Sequence, residues 1–164
     1  MRRRSAPVWQ ARLVARLLIV HHSPTPGLRA LLDAAVAGTA APGIEGVEVV
    51  VAEALDPDPE LVAASDGYLL GTPANLGYMS GALKHWFDVV YNPSVDRTAR
   101  RPYGCWVHGE SDTTGAVAAI EKITTGLQWR AVQPPLGLIG PVDEALSDQT
   151  WELAATLAAT LMDA

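Results

Sequence analysis

The sequence predicts an open α/β domain: a five-stranded parallel sheet in the order 2-1-3-4-5, with helices on both faces. Three observations carry that prediction. Strand-like apolar runs alternate with helix-period segments five times along the chain, which calls for parallel strands joined by right-handed crossovers. The second run carries Glu48, and the fifth contains Pro134 and Pro135, which cannot donate to a strand ladder; both therefore suit edge positions. Of the two common doubly wound orders, 2-1-3-4-5 places those runs at the two edges, whereas the other needs a sixth strand.

Each element follows in order. Residues 1–11 form a basic N-terminal extension, and the domain spans 12–164. Val14 to His21 is apolar apart from Arg16, as a central strand covered on both faces must be. HHSPTPG, His21 to Gly27, leads into an Ala/Leu-rich helix over Leu28 to Ala37. Val47 to Ala52 is the second strand, and Pro57, Pro59 and a helical turn at Leu61 to Ala64 lead to the third strand at 67–71. Thr72 to Tyr78 reads as a loop. Ser80 then caps a helix whose apolar stripe is Met79, Leu83, Trp86, Phe87 and Val90, running to about Tyr91. The polar, arginine-rich stretch from Asn92 to Pro102 reads as a surface loop. Tyr103 to His108 is the fourth strand, with Cys105 a packing residue in its middle. GESDTT, Gly109 to Thr114, opens a helix to about Thr125, and a fifth strand lies within Trp129 to Ile139. The last helix begins near Ser147 or Asp148 and buries Trp151, Leu153, Leu157 and Leu161.

Composition narrows the function classes. At 164 residues, 49% hydrophobic and 18% charged, the chain has the length and apolar content of one well-buried domain. A formal charge of −6 argues against nucleic acid as a partner. A lone cysteine excludes an internal disulfide framework and suits a cytoplasmic protein. Arg12 and Arg16 interrupt the apolar stretch that an export signal would need after Arg2-Arg3-Arg4. No run approaches the ~20 apolar residues of a membrane span.

Three loops leave the carboxyl ends of strands one, three and four, where open α/β sheets bind ligands. Ser23-Pro24-Thr25-Pro26-Gly27 precedes a helix start, whose free N–H groups and partial positive charge can hold a phosphate without any basic residue; an ordinary capped helix is the plainer reading. Thr72 to Tyr78 could line a planar ring with main-chain N–H groups and with Leu76 and Tyr78. His108 to Gly115 supplies Ser111, Asp112, Thr113, Thr114 and Gly115, and Asp112 is also a good helix cap. His108, at a strand end, suits either an acid/base role or a hydrogen-bonded wall. His21 and His22 point to opposite faces of a strand and make a poor metal pair, so no metal site is assigned. Neither GxxxxGK[ST] nor GxGxxG occurs, which leaves nucleoside triphosphates and Rossmann-type dinucleotide binding without a signature.

With these loops in place the sequence resembles the flavodoxin-like FMN proteins, especially the NAD(P)H-dependent FMN reductase and quinone reductase branch. HHSPTPGLRALLDA looks like that family's phosphate loop, and SDGYLLGTPANLGYMSGALKHWFD looks like its ring-binding segment. The likeness covers about residues 15–140 and is most specific at 66–88. It implies that Ser23, Thr25 and Gly27 hold the FMN phosphate, with main chain from Pro26. Pro73, Ala74, Asn75, Leu76, Gly77 and Tyr78 would border the isoalloxazine. His108, Gly109, Asp112 and Gly115 belong to the loop that would close its other edge. Three departures stand out: Pro26 replaces a usual glycine, Leu76 replaces an aromatic, and GESDTTG replaces a glycine-rich loop. The implied activity is an oxidoreductase taking electrons from NAD(P)H to a quinone or similar small acceptor, with His108 or Tyr78 orienting or protonating it. An electron carrier, or a flavodoxin-like binding domain without redox activity, are the alternatives. Relatives of this kind often pair so that a neighbouring subunit covers the flavin, so a homodimer or higher homo-oligomer is one option, for which Trp86, Trp129, Trp151 and the arginine-rich stretch 97–101 could supply an interface; the tryptophans equally suit the core.

Overall fold

The computed structural model describes residues 14–163, so the expected basic extension over 1–11 lies outside the described residues. The elements are β1 (Ala15–His21), α1 (Pro26–Thr39), β2 (Val47–Glu53), α2 (Pro59–Ala63), β3 (Gly67–Asn75), β4 (Tyr78–Met79), α3 (Gly81–Ser94), β5 (Pro102–Gly109), α4 (Thr114–Gly126), β6 (Arg130–Ala131), β7 (Leu136–Ile139) and α5 (Glu144–Met162). The parallel sheet runs β2-β1-β3-β5, and its last position is shared by β6 and β7, both parallel to β5. The expected 2-1-3-4-5 order therefore holds, with two additions. The fifth strand is split around Gln133-Pro134-Pro135, where the prolines remove ladder donors. The tiny β4 pairs antiparallel with the end of β3.

Strand alternation divides the core into two layers. Leu17, Ile19, Leu69 and Trp106 face one side and pack with Leu31 and Ala35 of α1 and with Leu153, Leu157 and Leu161 of α5. Leu18, Val20, Tyr68, Leu70 and Cys105 face the other, against Leu83, Trp86, Phe87 and Val90 of α3 and Ala116 and Ile120 of α4. Because β1, β3 and β5 are covered on both sides, their sequences read as apolar runs rather than alternating ones. Edge strand β2 instead mixes partly buried and exposed positions, with none fully buried.

Several boundaries differ from the sequence reading, each for a local reason. β3 continues to Asn75 and turns tightly into β4, so most of the expected 72–78 loop is a hairpin. Thr72 supports it from inside: its hydroxyl donates to the Pro73 carbonyl at 2.8 Å and accepts from the Ser80 N–H at 3.1 Å. α3 does not stop at Tyr91 but runs to Ser94 with Pro93 in its last turn. The N–H that proline lacks would have served the carbonyl of Val89, an exposed residue, so water can satisfy it. α5 starts three residues early because Asp143 caps it, accepting from the Leu146 N–H at 3.0 Å. Trp151, expected in the core, lies 36% exposed on α5 while Leu153, Leu157 and Leu161 are buried.

The arginine-rich stretch is anchored rather than loose. Arg97 pairs with Glu60 at 2.9 Å. Arg101 donates to the carbonyls of Ala63 (2.7 Å) and Ser65 (2.6 Å) and to the Tyr68 hydroxyl (3.0 Å), closing the end of α2. Tyr68 in turn stacks on Trp129 with ring centroids 4.0 Å apart. Of the tryptophans that suit either an interface or the core, Trp86 and Trp129 are buried in the core.

Candidate functional site

A cavity of about 480 Å³ opens at the carboxyl edge of the sheet. It is walled by the β1–α1 loop (Thr25 and Leu28), the β3–β4 hairpin (Pro73 to Gly77) and the β5–α4 loop (His108 to Asp112). Strand order reverses between β1 and β3, so the cavity sits at the topological switch point.

The first wall is a helix start. Thr25 is the N-cap of α1, its hydroxyl accepting from the Leu28 N–H at 3.2 Å, and Pro26 fills N1, where its fixed φ suits the helix. Among the described residues the main-chain N–H groups of Thr25 and Gly27 meet no acceptor. Unpaired donors at the positive end of a helix form a seat for an anion. Gly27 also sits close to the β7–α5 connection: a Cβ there would lie 3.1 Å from Val142 Cγ2, so the valine would have to yield slightly.

The second wall is the hairpin. Leu76 and Gly77 both take positive φ, 52° and 75°, which makes a two-residue type I′ turn. Glycine suits that conformation; leucine does not, and the left-handed region costs a branched side chain roughly 1–2 kcal/mol. Nor does Leu76 recover anything by packing, since it is fully exposed at 106%. A strained, exposed apolar residue at a cavity mouth points to a surface meant to be covered. The turn is held from below. A Cβ at Gly115, in the first turn of α4, would overlap the Gly77 carbonyl oxygen, so only glycine lets helix and hairpin approach this closely.

The third wall is the β5–α4 loop. His108 donates from Nε2 to the Gly140 carbonyl at 2.6 Å, which fixes the ring as a wall of the cavity. Gly109 is required because a Cβ there would meet the Asp112 carbonyl oxygen at 2.9 Å. Asp112 Oδ1 accepts from the Thr114 N–H at 2.9 Å, and that bond lowers its pKa. No lysine or arginine lines the cavity, whereas Glu110 and Asp112 do. An anionic group would meet no cationic side chain here and would depend on neutral donors, the main-chain and helix-end N–H groups among them.

Of the residues singled out in the sequence, Thr25, Pro73, Ala74, Asn75, Leu76, Gly77, His108, Gly109 and Asp112 line this cavity together. Ser23, Pro26, Gly27, Tyr78 and Gly115 belong to the same three segments but do not line it. Ser23 turns its hydroxyl to His21 Nδ1 at 3.0 Å, Tyr78 sits on β4 partly exposed, and Gly115 supports the hairpin. Leu28, Glu110 and Ser111 complete the lining. Helical spacing from the Thr25 cap could have signalled Leu28, which the sequence reading leaves simply within the helix. Cys105 is fully buried away from this edge, and burial pushes its thiol pKa up. Among the described residues no group of acidic, histidine and cysteine side chains is arranged to hold a metal.

No protein-family model matches the sequence, and no curated protein is significantly similar to it. Solved structures do match the fold. A flavodoxin from the domain Archaea superposes with a TM-score of 0.75 at 13% identity, covering 89% of this chain and 98% of its own. The two-electron reduced flavodoxin of Megasphaera elsdenii gives 0.72 at 18% identity over 87% and 98%. A WrbA-like flavodoxin protein from Agrobacterium tumefaciens gives 0.72 at 12% over 91% and 98%. The fold is flavodoxin-like. At such identities the likeness establishes architecture, and the argument for function rests on the loops of this chain. In that flavodoxin-like frame the three walls are the loops after the first, third and fourth parallel strands of the sheet. No helix among the described residues is long and apolar enough to cross a membrane.

Proposed function

We propose that this protein is an FMN-binding oxidoreductase that takes electrons from NAD(P)H and delivers them to a quinone or similar small acceptor in the cytoplasm. The observation that supports it most is the pairing, around one cavity, of an unpaired helix-end donor set with a strained, exposed apolar hairpin tip. The first suits a phosphate, the second a planar ring, and FMN carries both.

The chemistry that a bound FMN supplies is hydride acceptance and electron release. The chain's own residues bind and orient. The N–H groups of Thr25 and Gly27 would hold the phosphate oxygens, with the α1 dipole offsetting their charge. Leu76 would cover one face of the ring system, and the main chain of the hairpin would offer hydrogen bonds to its polar edge. His108, anchored through Nε2 to Gly140, would present a fixed imidazole edge to the site. Leucine offers less area than an aromatic at that tip, so the ring system would stay more accessible to a small reactant.

A second reading, an electron carrier that docks on a larger redox partner, is favoured by Glu110 and Asp112 at the cavity, which repel an anionic nicotinamide dinucleotide. Two measurements separate these readings. An absorbance spectrum of the purified protein, with and without added FMN, should show a bound flavin; absence of both spectral bands and fluorescence quenching would end both. Anaerobic mixing with NADPH should then bleach the flavin within seconds, and a flavin that ignores NADPH supports the carrier.

A further inference from the structure

The anion-binding loop has an unexplained neighbour. His21, the last residue of β1, is 7% exposed and directs Nδ1 to the Ser23 hydroxyl at 3.0 Å, with Nε2 lying 3.9 Å from Glu53 Oε1 on β2. Ser23 stands two residues before the α1 cap, so the loop that carries the unpaired Thr25 and Gly27 donors also carries a hydroxyl held by a buried imidazole.

A serine hydroxyl has one proton, and its partner decides where the proton points. If Nδ1 of His21 is bare, it accepts the Ser23 proton and leaves only lone pairs facing the loop, which repel an anion. If Nδ1 carries a proton, it donates to Ser23 Oγ, and the Ser23 O–H is released to donate into the loop. In the doubly protonated ring Nε2–H also faces the Glu53 carboxylate, so both nitrogens are served.

We propose that His21 is a positioning residue for phosphate: occupation of the α1 loop by a phosphomonoester dianion draws one proton from solvent onto His21, which turns the Ser23 hydroxyl from acceptor to donor. This rests on the reading of the cavity as an FMN site and assigns its phosphate end a proton-linked selectivity for FMN over riboflavin. The groups that act on the ring are Glu53 from β2 and His22, the first residue of the β1–α1 loop, while β3 presents only Gly71 at that register. With the loop empty, burial lowers the His21 pKa, Glu53 opposes that, and His22 adds to it. A ring held neutral in the empty loop has a proton to gain when an anion arrives.

The sign follows from linkage. A group whose pKa is raised by the ligand strengthens binding at low pH, and that gain is lost as pH rises through the raised value, by up to about tenfold per pH unit for one proton. The phosphate's own second ionisation near pH ~6 weakens dianion binding below it. FMN affinity should therefore pass through a maximum, with an alkaline limb owed to His21. The test is the Kd of FMN and of riboflavin from pH 5 to 9 (roughly two units either side of neutrality, the range in which histidine titrates), for the full chain and for His21→Gln and Ser23→Ala. The expected result is an alkaline weakening for FMN, none for riboflavin, and a flattened FMN limb in both variants. An FMN profile parallel to that of riboflavin overturns the proposal, as does an alkaline limb that survives in both variants. If neither flavin binds, the FMN reading itself falls; the His21 imidazole titrated by NMR with inorganic phosphate then decides, an upward pKa shift supporting the proton coupling and an unchanged pKa refuting it.

Discussion

Replacing Leu76 by Asn should stabilise the free protein and weaken its hold on flavin at the same time. Leu76 has a φ of 52° and is fully exposed, so it contributes strain and no packing. Asparagine tolerates the left-handed region, and Asn-Gly is the preferred pair for a type I′ turn. Relief of about 1 kcal/mol is the lower end of what that strain costs, and for a chain of this size it corresponds to a rise in Tm of about 2–4 °C. Binding should move the other way. Burying a whole leucine is worth about 1.5–3 kcal/mol, and a ring lying on one side of it would bury about half. The loss is then about 1 kcal/mol, close to fivefold in Kd. Thermal unfolding of the flavin-free protein and fluorescence titration with FMN measure the two quantities separately. A lower Tm would show that the turn is unstrained. A raised Tm with unchanged FMN affinity would show that Leu76 does not cover the ring, and the case for the second wall would fail.

Other substitutions test the remaining supports. Thr25→Ala removes the α1 cap, costing about 1 kcal/mol in urea unfolding, and should weaken FMN more than riboflavin; equal losses would contradict the phosphate assignment. Gly115→Ala forces a methyl group into the Gly77 carbonyl, so the hairpin must shift; overpacking of this kind costs about 1–3 kcal/mol, and if the displaced hairpin carries that cost into binding FMN affinity should fall at least about fivefold, with the Gly77 amide resonance displaced. Arg101→Met strips a charged donor from the Ala63 and Ser65 carbonyls and the Tyr68 hydroxyl; a destabilisation of about 2 kcal/mol is expected in urea, with FMN affinity little changed because Arg101 is remote from the cavity. Cys105 is fully buried with its thiol pKa raised, so thiol reagents should label it only as the protein unfolds, and labelling of the native chain would contradict that burial.

What the sequence disclosed depended on how local the cause was. β1, β3 and β5 are legible because burial on both faces demands unbroken apolar runs, and α3 because its stripe repeats at helical period and Ser80 caps it. Edge placement of β2 and of the last strand is legible through Glu48 and the Pro134-Pro135 pair. The early start of α5 hangs on one Asp143 side chain, and the run of α3 through Pro93 on the solvation of one carbonyl. Neither leaves a periodic trace. Trp151 shows a different limit: its size suggests the core, yet the neighbouring phases of α5 fill that layer with smaller residues. At the site, the loops could be found from their places after strands, but not the contact of Gly115 with Gly77, which joins residues brought together only by the packing of α4 on the hairpin.

That contact also orders the two ends of the cavity by rigidity. The hairpin wall is clamped three times: β3 and β4 pair across the turn, Thr72 ties Pro73 to Ser80, and α4 abuts the Gly77 carbonyl through a residue that admits no side chain. The α1 wall has a cap, a proline at N1 and, among the described residues, two N–H donors without partners, and the side-chain hydrogen bond that ties its loop to the sheet runs from Ser23 to His21. Preorganised donors bind anions well only if they stay in place while empty. The hairpin can do so on its own contacts, whereas the loop depends on the imidazole behind it. Discrimination among flavins by their phosphate should therefore respond to changes at Ser23 and His21, and affinity for the ring to changes at Leu76 and Gly115, with little exchange between the two sets.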